Sequence, residues 1–144
     1  MLFLAWAMEA DVLAQSAPAV TGAELVVVVT GVTSREGVLL VALYDSKQAW
    51  LKPAKAVQVQ RVPPSGARAE FRFAGLAPGT YAVGVVHDEN RNDKLDFSFF
   101  PWPHIEEAAG MSNNPTSSVG PPSFRESSFS LGLQGARLEI ALQK

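Results

Sequence analysis

The chain has 144 residues, 12 basic and 14 acidic side chains, a formal charge of −2 and no cysteine. That length suits one domain around one core. The near-neutral balance carries no basic footprint for nucleic acid, and the missing cysteine excludes thiol catalysis, disulfides and thiolate metal sites.

The first stretch, MLFLAWAM, is apolar but lacks a positively charged start, and Glu9 and Asp11 cut it short of the ~20 apolar residues that a membrane span needs. It predicts no transmembrane segment. The following VLAQSAPAV has small residues at Ala14 and Ser16 in the spacing a signal peptidase accepts. Residues 1–21 therefore read as a degenerate signal peptide or a disordered N-terminal segment, and export to the periplasm or the extracellular space is the expectation. Residues 22–144 read as a single domain.

From Gly22 onward the pattern is one of strands. ELVVVVTGV is rich in β-branched residues, GVLLVALYDS is a second apolar run, and AVQVQRV alternates. ARAEFRFAGL sets Phe71 and Phe73 on one face with Arg68, Glu70 and Arg72 on the other, and TYAVGVVHD, SSFSLGLQG and ARLEIAL follow. PPSG, LAPGT and LQGA supply tight turns between them. Only IEEAAGM has the composition for a turn or two of helix. The fold expected is all-β, a seven-stranded antiparallel β-sandwich with one long irregular loop over about residues 98–125. A structureless loop of that length usually has a task, here to pack over the loop that precedes it. In TYAVGVVHD, Tyr81, Val83, Val85 and His87 share one face, and Ala82, Gly84 and Val86 the other.

The segment HDENRNDKLDF carries the chemistry. With Asp88 as position 1, oxygen-bearing side chains fall at positions 1, 3, 5 and 9 as Asp88, Asn90, Asn92 and Asp96, and the Lys94 carbonyl falls at position 7. A hard cation such as calcium takes six to eight oxygens, and a loop curling around it offers one at alternate residues. Position 6 is Asp93, a residue that tolerates a left-handed conformation, and position 8 is the apolar Leu95. Position 12 is Phe99 where an EF-hand has glutamate, and a strand rather than a helix leads in, so the segment is not an EF-hand. Glu106, Glu107 or water would complete the ligand set. The plain alternative is a solvated turn, for which Asp, Asn and Lys are ordinary residues.

Other readings stay open beside it. His87, His104 and nearby carboxylates are the raw material of a transition-metal site with a position left for water, which would make the protein a metal-dependent enzyme. Against that, adjacent strand residues point to opposite faces, so His87 and Asp88 would need a bulge to share an ion. There is no G-x-S-x-G elbow and no phosphate-cradling glycine loop, and the expectation is a protein that is not an enzyme. Trp50, Trp102, Phe99 and Phe100 would suit a carbohydrate-binding or adhesion surface if they lay open. Ser112, Asn113 and Asn114 in GMSNNP either add oxygen ligands or tie the loop down through backbone hydrogen bonds.

Three blocks in order, GLAPGTYAVGVVHDENRNDKLDF, GMSNNP and GPPSFRESSF, resemble an uncharacterised bacterial family known as domain of unknown function 2141. The resemblance runs from about Gly31 to Leu142. It implies an exported sandwich of prealbumin-like or immunoglobulin-like type, similar in its PGTY turn to carboxypeptidase regulatory-like domains and to the calcium-binding B repeats of surface adhesins, with no established activity. The chain departs from the family pattern at FFPWPHIEEAAG, which stands where a glycine and a proline-lysine-glutamate usually precede the serine-asparagine block. Which of Glu106 and Glu107 matches that glutamate is left open by the departure.

Overall fold

The computed structural model describes residues 22–91, 97–98, 104–105, 107–116 and 120–144. Among the described residues the strands are β1 Ala23–Thr30, β2 Val38–Tyr44, β3 Gln58–Val62, β4 Ala69–Leu76, β5 Gly79–Asp88, β6 Phe97–Ser98, β7 His104–Ile105, β8 Ala109–Met111, β9 Phe129–Leu131 and β10 Ala136–Ala141. A turn of α-helix, α1 (Phe124–Ser127), is closed by a capping box between Ser123 and Glu126, and Pro53–Lys55 form a 3-10 turn.

Two sheets face each other. The smaller has the order β10-β1-β4, and the larger runs β3-β2-β5-β8, with β9 also pairing β5. The short strands β6 and β7 form a separate ribbon. All seven expected strands are present, and the all-β sandwich holds. Two features differ from expectation. The first and last strands, β1 and β10, run parallel, with Leu25 beside Ala136 and Thr30 beside Ala141. The segment around residues 98–125 is also not irregular throughout: Ala109–Met111, expected as helix, is strand β8 and pairs antiparallel with β5. Gly110 explains the choice. A Cβ there would lie 2.6 Å from Ile140 Cγ2 and 2.8 Å from the Ala141 carbonyl, so only glycine lets β8 press against β10. Ala109 and Gln143 then exchange two backbone hydrogen bonds of 2.9 Å, and these join the two sheets at that corner.

The core lies between the sheets. Leu25, Val27 and Val29 of β1 and Phe71 and Phe73 of β4 meet Leu39, Val41 and Leu43 of β2 and Tyr81, Val83 and Val85 of β5. Burial extends beyond this layer. Val26 and Val28, on the outer face of β1, are also buried. The ladder sets Arg72 and Arg137 on either side of Val26, and Glu70 and Glu139 on either side of Val28. Arg72 meets Glu24 at 2.9 Å and Arg137 meets Glu70 at 2.9 Å. To reach Glu70 on β4, Arg137 of β10 must cross β1, which carries its aliphatic stem over the valines while its head stays wet. This accounts for an unbroken valine run in a strand with one face to solvent.

The outer face of the larger sheet is roofed by the segment between β2 and β3. Leu40, Ala42, Tyr44 and Ala49 form a second buried cluster, with Trp50 and Phe124 packed on it. Trp50 stands edge-on to Tyr44, ring centres 5.2 Å apart, and to Phe124 at 5.9 Å. Its indole N–H donates to the Pro122 carbonyl at 2.9 Å. Within this roof Leu51 adopts a left-handed φ of 60°, a conformation uncommon for a branched side chain.

Candidate metal centre

The loop of interest leaves the end of β5, the strand held on both sides. Asp88 pairs with Val38 of β2. On the other flank Val86 pairs with Ala109 of β8, and the His87 N–H donates to the Ala108 carbonyl at 2.9 Å. Glu107 stands two residues before β8, where a continuation of this register would set it opposite Asp88 and on the same face.

Both carboxylates are buried. Asp88 is 0 % and Glu107 7 % exposed. The Glu107 Oε2 accepts from the Glu89 N–H at 3.0 Å, so the carboxylate reaches the backbone at the point where the loop begins. Beyond it the chain turns. Glu89 and Asn90 form a turn, and Arg91 takes a left-handed φ of 58° and donates from Nη2 to the Gly37 carbonyl at 3.4 Å. Gly37 is itself left-handed, at φ 69°, and a Cβ there would collide with the Asp88 carbonyl oxygen and the Glu89 Cα. The chain entering β2 is therefore pressed against the root of the loop, and the glycine in SREG is what permits it.

His87 and Asp88 part company, as strand geometry requires. Asp88 lies with Leu40, Tyr44, Leu51, Pro53, Gly84 and Val86 around a narrow hollow of about 10 Å³ on the outer face of the larger sheet, room for about one water. His87 belongs to the face of Tyr81, Val83 and Val85 and is 0 % exposed. Its Nε2–H donates to the Glu36 carbonyl at 2.7 Å, while Nδ1 is buried without a hydrogen-bond partner. The structure thus does not bring His87 and Asp88 to one focus. Residues 34–37 support this corner further, with Ser34 Oγ accepting from the Glu36 N–H at 3.0 Å.

Of the residues with a predicted metal role, Asp88, Asn90 and Glu107 are described and stand at one end of the sandwich. Asn92, Lys94, Asp96 and Glu106 lie outside the described residues, as do Trp102 and residues 1–21. Among the described residues no group of three or more histidine or carboxylate side chains is gathered for a metal ion, and no helix is long and apolar enough to cross a membrane.

The GMSNNP block turns out to be a hub of backbone bonds. Ser112 is 0 % exposed, its Oγ accepts from the Val83 N–H at 2.9 Å, and it donates to the Ser127 carbonyl. Asn113 Nδ2 donates to the carbonyls of Ser128 at 2.8 Å and Glu126 at 3.2 Å. Asn114 bonds to β10. The two asparagines are left-handed in succession, at φ 70° and 45°, which few other residues tolerate. Trp50, weighed as an exposed platform, is half-buried with its N–H engaged. Two positioning features escaped sequence reasoning: the Glu36 carbonyl as the partner of His87, and the close approach at Gly37. The only sequence signal for either is the glycine that opens GVLLVALY.

Compared with known proteins, residues 27–139 match the model of a family described as uncharacterized protein conserved in bacteria, DUF2141. No curated protein and no solved structure matches.

Proposed function

The chain belongs to the DUF2141 family of uncharacterised bacterial proteins, and from that premise we propose that it is an exported, non-enzymatic β-sandwich module whose loop after β5 binds calcium. The observation that carries this reading is the burial of two carboxylates at the root of the loop, Asp88 at 0 % and Glu107 at 7 % exposure, with Glu107 bonded to the Glu89 N–H. Carboxylate oxygens are the hard ligands that calcium takes, and the alternation of oxygen groups along the loop suits its appetite for six to eight of them.

In this reading Asp88, Asn90, Asn92, the Lys94 carbonyl and Asp96 would supply oxygens from the loop, and Glu107, just before β8, would complete the set in preference to Glu106. Glu107 is favoured because its carboxylate already bonds to the loop backbone at Glu89. The ion would neutralise the loop and pin it to the sheet, making it a structural element of an envelope or extracellular module. Export rests on the apolar amino end and the small residues at Ala14 and Ser16. Its protein or glycan partner is a separate question from its ion.

Thermal melting of the intact chain tests the reading, run with millimolar calcium, with chelator and with zinc, on the native sequence, Asp88→Ala and Glu107→Gln. An ion that binds only the folded state stabilises by about 2.7 kcal/mol at a hundred times its Kd, so the native midpoint should rise by several degrees with calcium and the variants should not respond. Equal midpoints with calcium and chelator would reduce the loop to a polar turn. A response to zinc in place of calcium would point to a different metal chemistry.

A further inference from the structure

The two sheets are joined at one corner by main chain, through the Ala109 and Gln143 pair. At the opposite corner the outer strand of the larger sheet, β3, meets the outer strand of the smaller, β4, and no ladder pairs them. Side chains span this seam. Gln60 Nε2 donates to the Arg72 carbonyl at 2.6 Å, and Gln58 Nε2 donates to the Ala74 carbonyl at 3.2 Å. The two glutamines are two residues apart on β3, hence on one face, and their acceptors are two residues apart on β4, hence on one edge. Those carbonyls are the groups that a further strand would use, since β4 spends its other edge on β1.

Apart from this cover, the β4 edge is poorly defended. It is eight residues long, contains neither proline nor lysine, and has Phe71 and Phe73 on its inner side. Its charges do not repel a copy of itself. When two β4 strands are laid antiparallel about Phe71, Glu70 of each falls opposite Arg72 of the other, giving two attractive cross-strand pairs related by a twofold axis. Val62, 43 % exposed at the end of β3 and on the face of the two glutamines, adds apolar surface beside the seam.

We propose that Gln58 and Gln60 form a side-chain latch that denies the outer edge of β4 to a second copy of this chain. With the latch in place the domain is a monomer. With it removed, two β4 strands pair and join two three-stranded sheets into one. The proposal is independent of any bound ion.

The test is sedimentation of the full chain over a range of concentrations, with amide hydrogen exchange. The native chain should sediment as a monomer. Gln58→Ala/Gln60→Ala should approach twice that mass as concentration rises, and the Arg72 and Ala74 amides should exchange about tenfold or more slowly in the associated form. Adding Arg72→Glu sets like charges opposite each other and should return the double variant to monomer. Adding Glu70→Arg as well restores the opposite pairs and should restore the dimer. The latch is overturned if the double variant stays monomeric, if it associates or precipitates regardless of the charges at positions 70 and 72, or if the native chain is already a dimer.

Discussion

Asn114 holds Ala141 as a neighbouring strand would: its Oδ1 accepts from the Ala141 N–H at 2.9 Å while its Nδ2 donates to the Glu139 carbonyl at 2.9 Å. A single side-chain amide thus occupies one donor and one acceptor on the free edge of β10. Each such bond contributes about 0.5–1.5 kcal/mol net. Asn114→Ala removes both and forces alanine into a φ of 45°, so the expected loss is about 2–3 kcal/mol. Asn114→Gly loses the bonds but not the backbone fit and should cost less. Urea denaturation, with unchanged slope, reads the difference.

Gly37 and Asp88 give the sharpest steric prediction. A Cβ on Gly37 would strike the Asp88 carbonyl and the Glu89 Cα, both backbone atoms that cannot swing away, and φ is 69°. Gly37→Ala should therefore destabilise the domain by more than about 2 kcal/mol, well above an ordinary Gly→Ala exchange. Because the collision falls at the root of the loop, the same variant should weaken any calcium-dependent rise in melting temperature. A thermal melt in calcium and in chelator measures both effects.

The strands were legible because their periodicity is local. Phe71 and Phe73 against Glu70 and Arg72, or Tyr81, Val83 and Val85 along one face, declare both the element and its inward side before any tertiary contact is known. What stayed hidden depends on partners far along the chain. The three apolar residues of β8 are too few to show a period, and their strand state follows from Gly110 meeting Ile140. The parallel pairing of β1 with β10 joins the two ends of the domain, where no turn signals direction. For the candidate site, the spacing of Asp88 and Asn90 was readable, and so was the divergence of His87 from Asp88. The approach of Glu107 to the root of the loop was not, since it depends on β8 pairing with β5. Gln58 and Gln60 looked like ordinary polar residues of an alternating strand, and only their distance to β4 gives them a task.

Trp50 anchors the roof over the larger sheet through one polar bond and two ring edges. Trp50→Phe keeps an aromatic body beside Tyr44 and Phe124 but removes the 2.9 Å bond to Pro122. Stability should fall by about 1–2 kcal/mol, from the lost bond and the volume that phenylalanine does not fill. The segment carrying Pro122 should also become more accessible to protease, since the indole N–H ties it to the β2 to β3 connection. Limited proteolysis together with urea denaturation distinguishes this local release from general loss of the fold.

Tyr44 makes stability fall at high pH. Its ring is buried beneath Trp50, and burial pushes the hydroxyl up from its ordinary 10.0 to about 12 by disfavouring the phenolate. The folded state therefore holds this proton more tightly than the unfolded chain does. The associated stability is fully present below pH 10 and is lost as pH rises through about 12. One unit of displacement corresponds to about 1.4 kcal/mol, so the loss attached to this group is of order 2 kcal/mol. Tyr44→Phe keeps the ring and deletes the ionisation. In urea titrations between pH 9 and about 12 the native midpoint should drop more steeply than that of Tyr44→Phe, and parallel slopes for the two would mean that the Tyr44 hydroxyl ionises as freely in the folded protein as in the unfolded chain.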